Sequence, residues 1–309
     1  MKSENYLLLA GGVGAAKFID GLQNIVEQRN LKIIVNTGDD IELFGLTICP
    51  DLDIITYTLA GLVDKEKGWG FNNETFNCLN VLKKYYDFDW FNAGDMDLAT
   101  HIYRTDLLNK GFVKSDVTKM ICEKLGVKSL VIPMSNEKIQ TLIQTPNKLM
   151  HFEEYFIKYE CKPKIHNIEF EGIEKGKPIP ETLKLIENAS KIIICPSNPI
   201  VSIGPILKVR EIRESLKKVK EKVIAISPII KGKAIKGPAD KMLKNQGFEK
   251  SSYGVAKFYQ DIIGTFILDN RDSELKPKIE GLGINCYCFD TLMTDMKKKK
   301  ELANFTINL

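Results

Sequence analysis

Leu7-Leu8-Leu9-Ala10-Gly11-Gly12-Val13-Gly14-Ala15-Ala16-Lys17-Phe18 is the stretch that decides the fold, because an apolar run of strand length passes through a glycine cluster into a helical pattern. Phe18, Leu22 and Ile25 recur at helical spacing and would face a sheet. Glycine tolerates positive φ and lets backbone N–H groups approach a ligand closely. The helix behind the turn adds unpaired N–H groups and the positive end of its dipole. Strand, turn and helix together predict an anion site, most often for phosphate.

The glycine cluster matches neither of two common nucleotide-binding fingerprints. Lys17 stands where the dinucleotide fingerprint needs its third glycine, and the stretch lacks the Gly-Lys-Ser/Thr ending of the phosphate loop. A structural alternative is that Gly11-Gly12-Val13-Gly14 merely lets the helix pack tightly on the strand. The motif alone does not decide between these two interpretations.

Composition excludes several classes of protein. With 309 residues, 44% of them hydrophobic and 27% charged, the chain is ordinary for a globular protein and long enough for one large α/β unit. A net charge of +4 is too small to indicate nucleic acid as a partner. No apolar run approaches the ~18 residues that span a bilayer. Seven cysteines without metal spacing indicate a reducing compartment, so we expect a cytoplasmic protein.

Apolar segments alternate with helix-length segments along most of the chain. This pattern predicts an α/β fold, a Rossmann-like, mostly parallel sheet of about six strands with helices on both faces. The apolar segments lie at residues 7–10, 31–35, 130–135, 192–195, 223–227, 265–269 and 285–289. Ligands of such sheets bind at the carboxyl ends of the strands, which we expect to share one edge.

Residues 53–127 differ in character from the rest, being helical in pattern. Many aromatic residues that look exposed lie there, namely Trp69, Phe71, Tyr85, Tyr86, Trp90 and Phe91. We interpret residues 1–52 and 128–309 as a nucleotide-binding core and residues 53–127 as a helical insertion over the active site. Residues 139–173 have the pattern of a hairpin followed by a helix.

Acidic residues follow the second predicted strand. Asp39 and Asp40 come directly after it, and Asp51 and Asp53 follow within fifteen residues of Asp39. Turn chemistry with one helix cap is a structural explanation. Four carboxylates beside loops that suit phosphate also need a counter-charge. Mg²⁺ is the usual one, because it binds through one or two carboxylates together with phosphate oxygens and water.

Two further loops carry groups that suit phosphate, hydroxyl and amide side chains in the first and lysines in the second. The first follows the strand at 192–195 and contains Ser197, Asn198, Ser202 and Gly204-Pro205. The second follows the strand at 223–227 and contains Lys231, Lys233 and Lys236. Proline fits the first turn of a helix, so the first loop predicts a second helix start with free N–H groups. Lysine binds phosphate as a point charge, although a solvated loop is the alternative for the second.

A third cluster lies in the predicted insertion. If residues 97–105 are helical, Asp97, His101 and Arg104 share one face. A histidine with a structural role is the alternative. The sequence shows no Ser-His-Asp or Cys-His nucleophile arrangement and no zinc spacing. The motifs together indicate Mg²⁺-assisted transfer at a phosphate, with a lid that is rich in aromatic residues.

Five segments in this order carry a family resemblance. They are residues 11–18, residues 36–40, residues 94–101, residues 195–199 with 202–207, and residues 227–230 with 237–241. Together they resemble the 2-phospho-L-lactate transferase family (CofD) from about residue 6 to residue 290. The resemblance implies transfer of a phospholactyl group from lactyl-2-diphospho-5'-guanosine, a guanosine diphosphate conjugate, to the ribityl hydroxyl of the deazaflavin 7,8-didemethyl-8-hydroxy-5-deazariboflavin. GMP is released in this Mg²⁺-dependent step of coenzyme F-420 biosynthesis, and a phosphoenolpyruvyl donor stays open because it differs only in unsaturation.

The resemblance also implies roles for residues at the phosphate. We expect nucleotide or phosphate contacts from Gly12, Gly14, Ser197, Asn198, Ser202, Gly204, Lys231 and Lys236. Asp39, Asp40 and Asp51 are the expected metal ligands. Asp40 and Asp51 are also the candidate catalytic residues, one of which would accept the proton of the attacking hydroxyl.

The acceptor needs a surface for its flat ring and partners for its hydroxyl groups. The resemblance implies that Asp53 and Asn92 bind the polyhydroxy chain. Candidates for stacking on the ring are Trp69, Phe71, Trp90 and Phe91. We expect these small molecules as partners, no nucleic acid or membrane, and a homodimer.

Two alternatives from other classes stay open. One is a non-catalytic nucleotide-sugar-binding regulator of the gluconeogenesis-factor type. Such proteins typically carry Asp-Asp-Gly-Gly-Ser-Ser where this chain has Asp39-Asp40-Ile41-Glu42-Leu43. The other is a nicotinamide dehydrogenase, against which the misfit at Lys17 counts.

Overall fold

The computed structural model describes residues 4–64, 68–87 and 90–309. Its strands are β1 (Tyr6–Ala10), β2 (Leu31–Val35), β3 (Ile41–Leu43), β4 (Leu46–Ile48), β5 (Leu130–Pro133), β6 (Gln140–Gln144), β7 (Leu149–His151), β8 (Asn167–Glu171), β9 (Lys191–Ile194), β10 (Val223–Ile226), β11 (Ile229–Ile230), β12 (Lys233–Ala234), β13 (Thr265–Asp269) and β14 (Asn285–Phe289). Its α-helices are α1 (Gly12–Leu22), α2 (Pro50–Leu59), α3 (Asn77–Tyr85), α4 (Asp95–Asn109), α5 (Lys114–Lys124), α6 (Thr182–Asn188), α7 (Gly204–Lys208), α8 (Ile212–Lys218), α9 (Ala239–Asn245), α10 (Ser252–Tyr259), α11 (Lys276–Glu280) and α12 (Met296–Ile307).

The central sheet has seven strands in the order β5-β2-β1-β9-β10-β13-β14, and each strand is parallel to its neighbours. The chain starts in the middle at β1, runs outward to β5, and then returns past β1 to β9. This is the doubly wound arrangement, whose switch point lies here between β1 and β9. The predicted α/β, Rossmann-like fold class is confirmed, with seven strands in place of about six.

Strand β1 shows why an unbroken apolar run was needed. Leu7 and Leu9 pack into the core on one face of the sheet, and Leu8 and Ala10 pack into the core on the other. Helices α1, α2 and α12 cover the second face, while α6 to α10 cover the first. Both faces of the strand are therefore buried, as parallel sheets require.

The segment predicted as an insertion begins inside a core element. Helix α2 starts at Pro50, and its Leu52 and Ile55 pack against the sheet in the same core as α1. The predicted boundary between residues 52 and 53 therefore falls within α2. Helices α3, α4 and α5 follow, and Leu79 is the buried residue that the structure describes in α3. The division into core and insertion stays an interpretation.

Residues 139–173 form a three-stranded antiparallel sheet in the order β7-β6-β8. The predicted hairpin is β6 with β7, and a π-helical turn, Glu154–Lys158, follows it. Strand β8 then returns to the other side of β6, which the sequence analysis missed because its alternating pattern buries only Ile168. Within the described residues, no helix is long and apolar enough to cross a membrane.

Candidate active site

A cavity of about 640 Å³ lies at the carboxyl edge of the central sheet. The loops after β1, β2, β9, β10 and β14 line it, together with α2, α4 and the turn that follows β7. Strands β1 and β9 are parallel neighbours, so the loops after both meet at this edge, as the sequence predicted. The cavity thus occupies the switch point, where doubly wound sheets bind their ligands.

The glycine turn after β1 packs directly on the loop after β9. Ser197 Oγ donates a hydrogen bond to the Gly11 carbonyl oxygen at 2.6 Å. A Cβ on Gly14 would overlap the carbonyl oxygen of Pro196. Gly12 has φ +68°, a conformation that favours glycine. Gly12, Gly14 and Ser197 are therefore brought together in one wall of the cavity.

Asp51 anchors the glycine turn. Its Oδ1 accepts a hydrogen bond from the Gly12 N–H at 2.7 Å, and its Oδ2 accepts one from Asn36 Nδ2 at 2.9 Å. Burial raises the pKa of Asp51 to about 7 in spite of these two donors. The Gly12 N–H is thus occupied, which leaves the N–H groups of Val13 and Gly14, in the first turn of α1, for an anion.

Two further buried carboxylates, Asp39 and Glu153, line the cavity with Asp51. Burial, with the nearby charges of Asp51 and Glu153, raises the pKa of Asp39 well above its ordinary value. Asp39 Oδ1 has no hydrogen-bond partner among the described residues. Burial and the Asp51 charge raise the pKa of Glu153 to about 8. Three carboxylates that repel one another in a buried wall need positive charge.

The carboxylates of Asp39 and Asp51 fit a hard cation. Within the part of the chain that the structure describes, no group of three or more His, Cys, Asp or Glu side chains is arranged to hold a metal ion. Mg²⁺ does not require such a cage, because one or two carboxylates with phosphate oxygens and water suffice. The unsatisfied Oδ1 of Asp39 is a free ligand atom for it. The predicted Mg²⁺ site stays a prediction with this support.

Asp40 points elsewhere, although it is the next residue to Asp39. Among the described residues it lies outside the wall of the cavity and forms a buried ion pair with Lys114. Burial raises the pKa of Asp40, and the Lys114 ammonium opposes that rise. The predicted catalytic and metal-binding role of Asp40 stays untested, and its geometry favours a structural role.

The remaining residues predicted at the phosphate separate into two groups. Asn198, Ser202 and Lys236 line the cavity. Of the described residues, Gly204 and Lys231 do not: Gly204 is buried at the start of α7, and Lys231 forms an exposed ion pair with Glu274 at 3.2 Å. Asn198 Oδ1 accepts the Ile200 N–H at 3.0 Å and so fixes the loop after β9.

Lys236 shares its part of the cavity with a second cation. Lys17, in the second turn of α1, also lines the wall. Burial and the Lys17 charge lower the pKa of Lys236. Two lysines at the positive end of a helix form a strongly cationic region, which suits a diphosphate. Lys17 entered the sequence analysis only as a misfit to a fingerprint.

Asp53 and Asn92, predicted to bind the acceptor, both line the cavity. Asp53 is buried and binds the Arg104 guanidinium through both carboxylate oxygens. Asn92 is exposed to the cavity. The helix predicted around Asp97, His101 and Arg104 is α4, and it brings all three to Asp53.

Aromatic side chains also line the cavity. Trp69 and Phe91 do so, whereas Phe71 packs on the Tyr57 ring with centroids 4.1 Å apart. Phe152 and Phe156 add a stacked pair, 5.6 Å between centroids and 13° between planes, which the sequence analysis missed. The π-helical turn that carries Phe156 is a feature common at functional sites.

Known proteins match this chain along nearly its whole length. Residues 7–299 match the model of a family described as 2-phospho-L-lactate transferase CofD. A 2-phospho-L-lactate transferase of Methanosarcina mazei is 36% identical over 97% of this chain and 99% of its own length. A phosphoenolpyruvate transferase of Streptomyces griseus is 37% identical over 98% of this chain and 97% of its own.

A solved structure of a UPF0052-family protein from Bacillus halodurans has the same fold. Its TM-score is 0.64, and the match covers 98% of this chain and 99% of that one. Sequence identity is 16%, so this likeness concerns the fold alone.

Proposed function

The chain belongs to the CofD family of 2-phospho-L-lactate transferases, and on this premise we propose that it transfers a 2-phospho-L-lactate or phosphoenolpyruvyl group to a deazaflavin. The donor would be the guanosine diphosphate conjugate and the acceptor atom the terminal ribityl hydroxyl of 7,8-didemethyl-8-hydroxy-5-deazariboflavin. GMP would leave, in a step of coenzyme F-420 biosynthesis. Relatives named for either donor are about equally similar to this chain, so both donors belong to the proposal.

One observation carries the proposal: a single cavity is lined by two chemically different sets of groups, with buried carboxylates among them. We call the glycine turn, the loop after β9 and the two lysines, Lys17 and Lys236, the donor side. We call α2, α4, Asn92 and the aromatic side chains the acceptor side. The first offers N–H groups and cations, which suit a diphosphate. The second offers rings and hydrogen-bonding groups, which suit a deazaflavin with a hydroxylated chain.

Catalysis would depend on position and charge, as in phosphoryl transfer generally. The acceptor's hydroxyl oxygen forms a bond to the phosphorus that bears lactate, and the bond from that phosphorus to the GMP oxygen breaks. The amides of Val13 and Gly14 with Lys17 and Lys236 would stabilise charge on the phosphates. The hydroxyl proton passes to a carboxylate of the cavity. Glu153 suits this, because its pKa of about 8 lies near the working pH, as a base requires, while Asp51, the other candidate, would be engaged with the metal.

Asp39 and Asp51 would hold Mg²⁺. The ion would neutralise phosphate charge and the mutual repulsion of the buried carboxylates. We assign Asp40 to the fold, since its Oδ2 pairs with Lys114 and the residue lies outside the wall of the cavity, although its buried Oδ1, like that of Asp39, has no partner among the described residues. A homodimer stays a prediction, which the molar mass in solution tests.

The test is a reaction with purified protein, Mg²⁺, the deazaflavin and each donor in turn. Mass spectrometry should detect GMP and a phosphodiester between the acceptor and lactate or enolpyruvate. Riboflavin in place of the deazaflavin tests acceptor selectivity, and omission of the acceptor controls for hydrolysis of the donor. Binding of the nucleotide without transfer to the deazaflavin from either donor would contradict the proposal and favour a nucleotide-binding regulator.

A further inference from the structure

Arg104 joins two cavity residues on different helices. Its guanidinium binds both oxygens of Asp53 on α2, with Nη1 3.1 Å from Oδ2. The same Nη1 lies 3.3 Å from Nδ1 of His101, one turn earlier on α4. All three side chains are buried, and Asp53 and His101 line the acceptor side of the cavity. Arg104 therefore sets the positions of two groups that face the ligand.

This contact decides which nitrogen of His101 carries its proton. A guanidinium has donors only, so Nδ1 must accept its hydrogen bond. Burial lowers the pKa of His101 to about 4, so the ring is neutral near pH 7 and carries its proton on Nε2. The competing arrangement, in which Nδ1 donates to Asp53 Oδ2, is longer at 3.5 Å.

Nε2 of His101 is left for a ligand. No described residue forms a hydrogen bond with Nε2. Nε2 is also not one of the fully buried side-chain atoms that lack a partner. Because His101 lines the cavity, we infer that Nε2 is accessible from the cavity. Each oxygen of Asp53 accepts from Arg104 and keeps a further lone pair. A donor and an acceptor thus lie side by side. A hydroxyl both donates and accepts, so the pair matches neighbouring hydroxyls of a polyhydroxy chain.

Building on the proposed function, we propose that His101 contacts the ribityl chain of the acceptor, its Nε2–H donating to one hydroxyl while Asp53 accepts from a neighbouring one. Arg104 is the positioning residue of this subsite. It orients Asp53 and holds His101 in the tautomer that donates into the cavity.

The test compares two ligands on a set of variants of the full chain. One ligand is the ribityl deazaflavin, and the other is the same ring with an ethyl group in place of the ribityl chain. His101→Ala should bind the ribityl compound about tenfold more weakly, the loss of one hydrogen bond with a partner left unpaired. It should bind the ring-only compound as the wild type does. His101→Gln, whose amide can donate from near the Nε2 position, should recover most of the affinity.

A matched control lies next to His101 on the same helix. Ile102 is exposed, and Ile102→Ala should leave both affinities unchanged. Equal losses of His101→Ala for both ligands would show a structural role, and full affinity for both would exclude the contact; either result overturns the inference. Failure of the wild type to bind the ribityl compound more tightly than the ring-only one would also overturn it. Transfer activity of the wild type tests the proposed function separately.

Arg104→Lys tests positioning. It keeps the charge beside Asp53 and loses the guanidinium fork, so the ribityl compound should again bind about tenfold more weakly and the ring-only compound normally. GDP calorimetry and the melting temperature show whether this variant folds. If it does not fold, the His101 series decides.

Discussion

The donor side and the acceptor side of the cavity are built by different means. The donor side combines backbone groups of the loops that directly follow β1 and β9 with the side chains of Lys17 and Lys236. The acceptor side consists of side chains from segments far apart in the chain, such as Asp53, His101 and Phe152. Backbone groups are placed by the sheet itself, whereas side chains need further contacts, as Arg104 provides for Asp53. Substitutions should therefore act differently on the two sides.

The largest effect on turnover is expected from the buried carboxylates. Asp39→Asn should lower turnover by ~10²–10⁴-fold, because it removes a carboxylate that would act through the metal or the attacking hydroxyl. GDP binding and stability should change little, since the carboxylate has a strongly raised pKa and an unsatisfied oxygen. Steady-state kinetics at saturating Mg²⁺ measures the effect. Normal turnover would make Asp39 a structural residue.

Asp40→Asn is the matched comparison, one residue along. It leaves the Lys114 ammonium buried without its counter-charge, which costs about 3–5 kcal/mol of unfolding free energy. The fraction that folds should turn over like the wild type. Chemical denaturation with active-site titration separates the two effects. A stable Asp40→Asn protein with lost turnover would return Asp40 to the catalytic role that the sequence suggested.

Gly14→Ala tests the backbone of the donor side. The added Cβ would overlap the Pro196 carbonyl, so the two loops must separate at a cost of about 1–3 kcal/mol. Affinity for GDP should fall with the stability. Gly45→Ala is a useful comparison, because its positive φ strains the fold while nothing lies near the added Cβ. Loss of GDP affinity in both variants would mean that it follows stability and not the loop contact.

The buried carboxylates should make the protein less stable as the pH rises. Burial raises the pKa of Asp51 to about 7 and that of Glu153 to about 8, so the folded state binds protons that the unfolded state has released. Between about pH 5 and pH 8 the unfolding free energy should fall, by at most about 1.4 kcal/mol per pH unit for each group. Glu153→Gln should reduce this slope in denaturation curves recorded with a chelator. An unchanged slope would contradict the raised pKa.

Two lysines of one loop should differ in their contribution to GDP binding. Lys236 lines the cavity, so Lys236→Met should weaken GDP binding about tenfold, a loss of ~1.4 kcal/mol. Lys231 pairs with Glu274 at the surface, and Lys231→Met should change the affinity little. Isothermal calorimetry compares them. Equal losses would mean that both lysines reach the diphosphate.

The sequence predicted the donor side better than the rest of the site. Strand β1 and its glycine turn form a local pattern, and the parallel sheet brings the following loops to one edge whatever the details. The sequence did not show which of two nearby residues faces the cavity. Asp39 faces the cavity and Asp40 does not, and Lys236 lines the wall while Lys231 does not. Such differences depend on side-chain direction in irregular loops, which no periodicity records.

Residues missed altogether come from the segment after β7. Phe152 and Glu153, directly after β7, and Phe156, in the π-helical turn that follows them, all line the cavity. The spacing of the two phenylalanines, four apart, is a helical signal that core packing explains equally well. Only the three-stranded sheet that carries this turn places it over the carboxyl edge. The contact of Arg104 with Asp53, across fifty-one residues, also depends on the fold.

The most direct test of the two-sided cavity is calorimetry of one variant from each side with both ligands. Lys236→Met should lose affinity for GDP and keep it for the deazaflavin. Asn92→Ala, which removes an exposed side chain and leaves no buried charge unpaired, should weaken deazaflavin binding by ~1 kcal/mol and leave GDP binding unchanged. Two results would contradict the division into donor and acceptor sides. In the first, each variant binds both ligands more weakly by the same factor. In the second, Asn92→Ala binds the deazaflavin and Lys236→Met binds GDP as tightly as the wild type does.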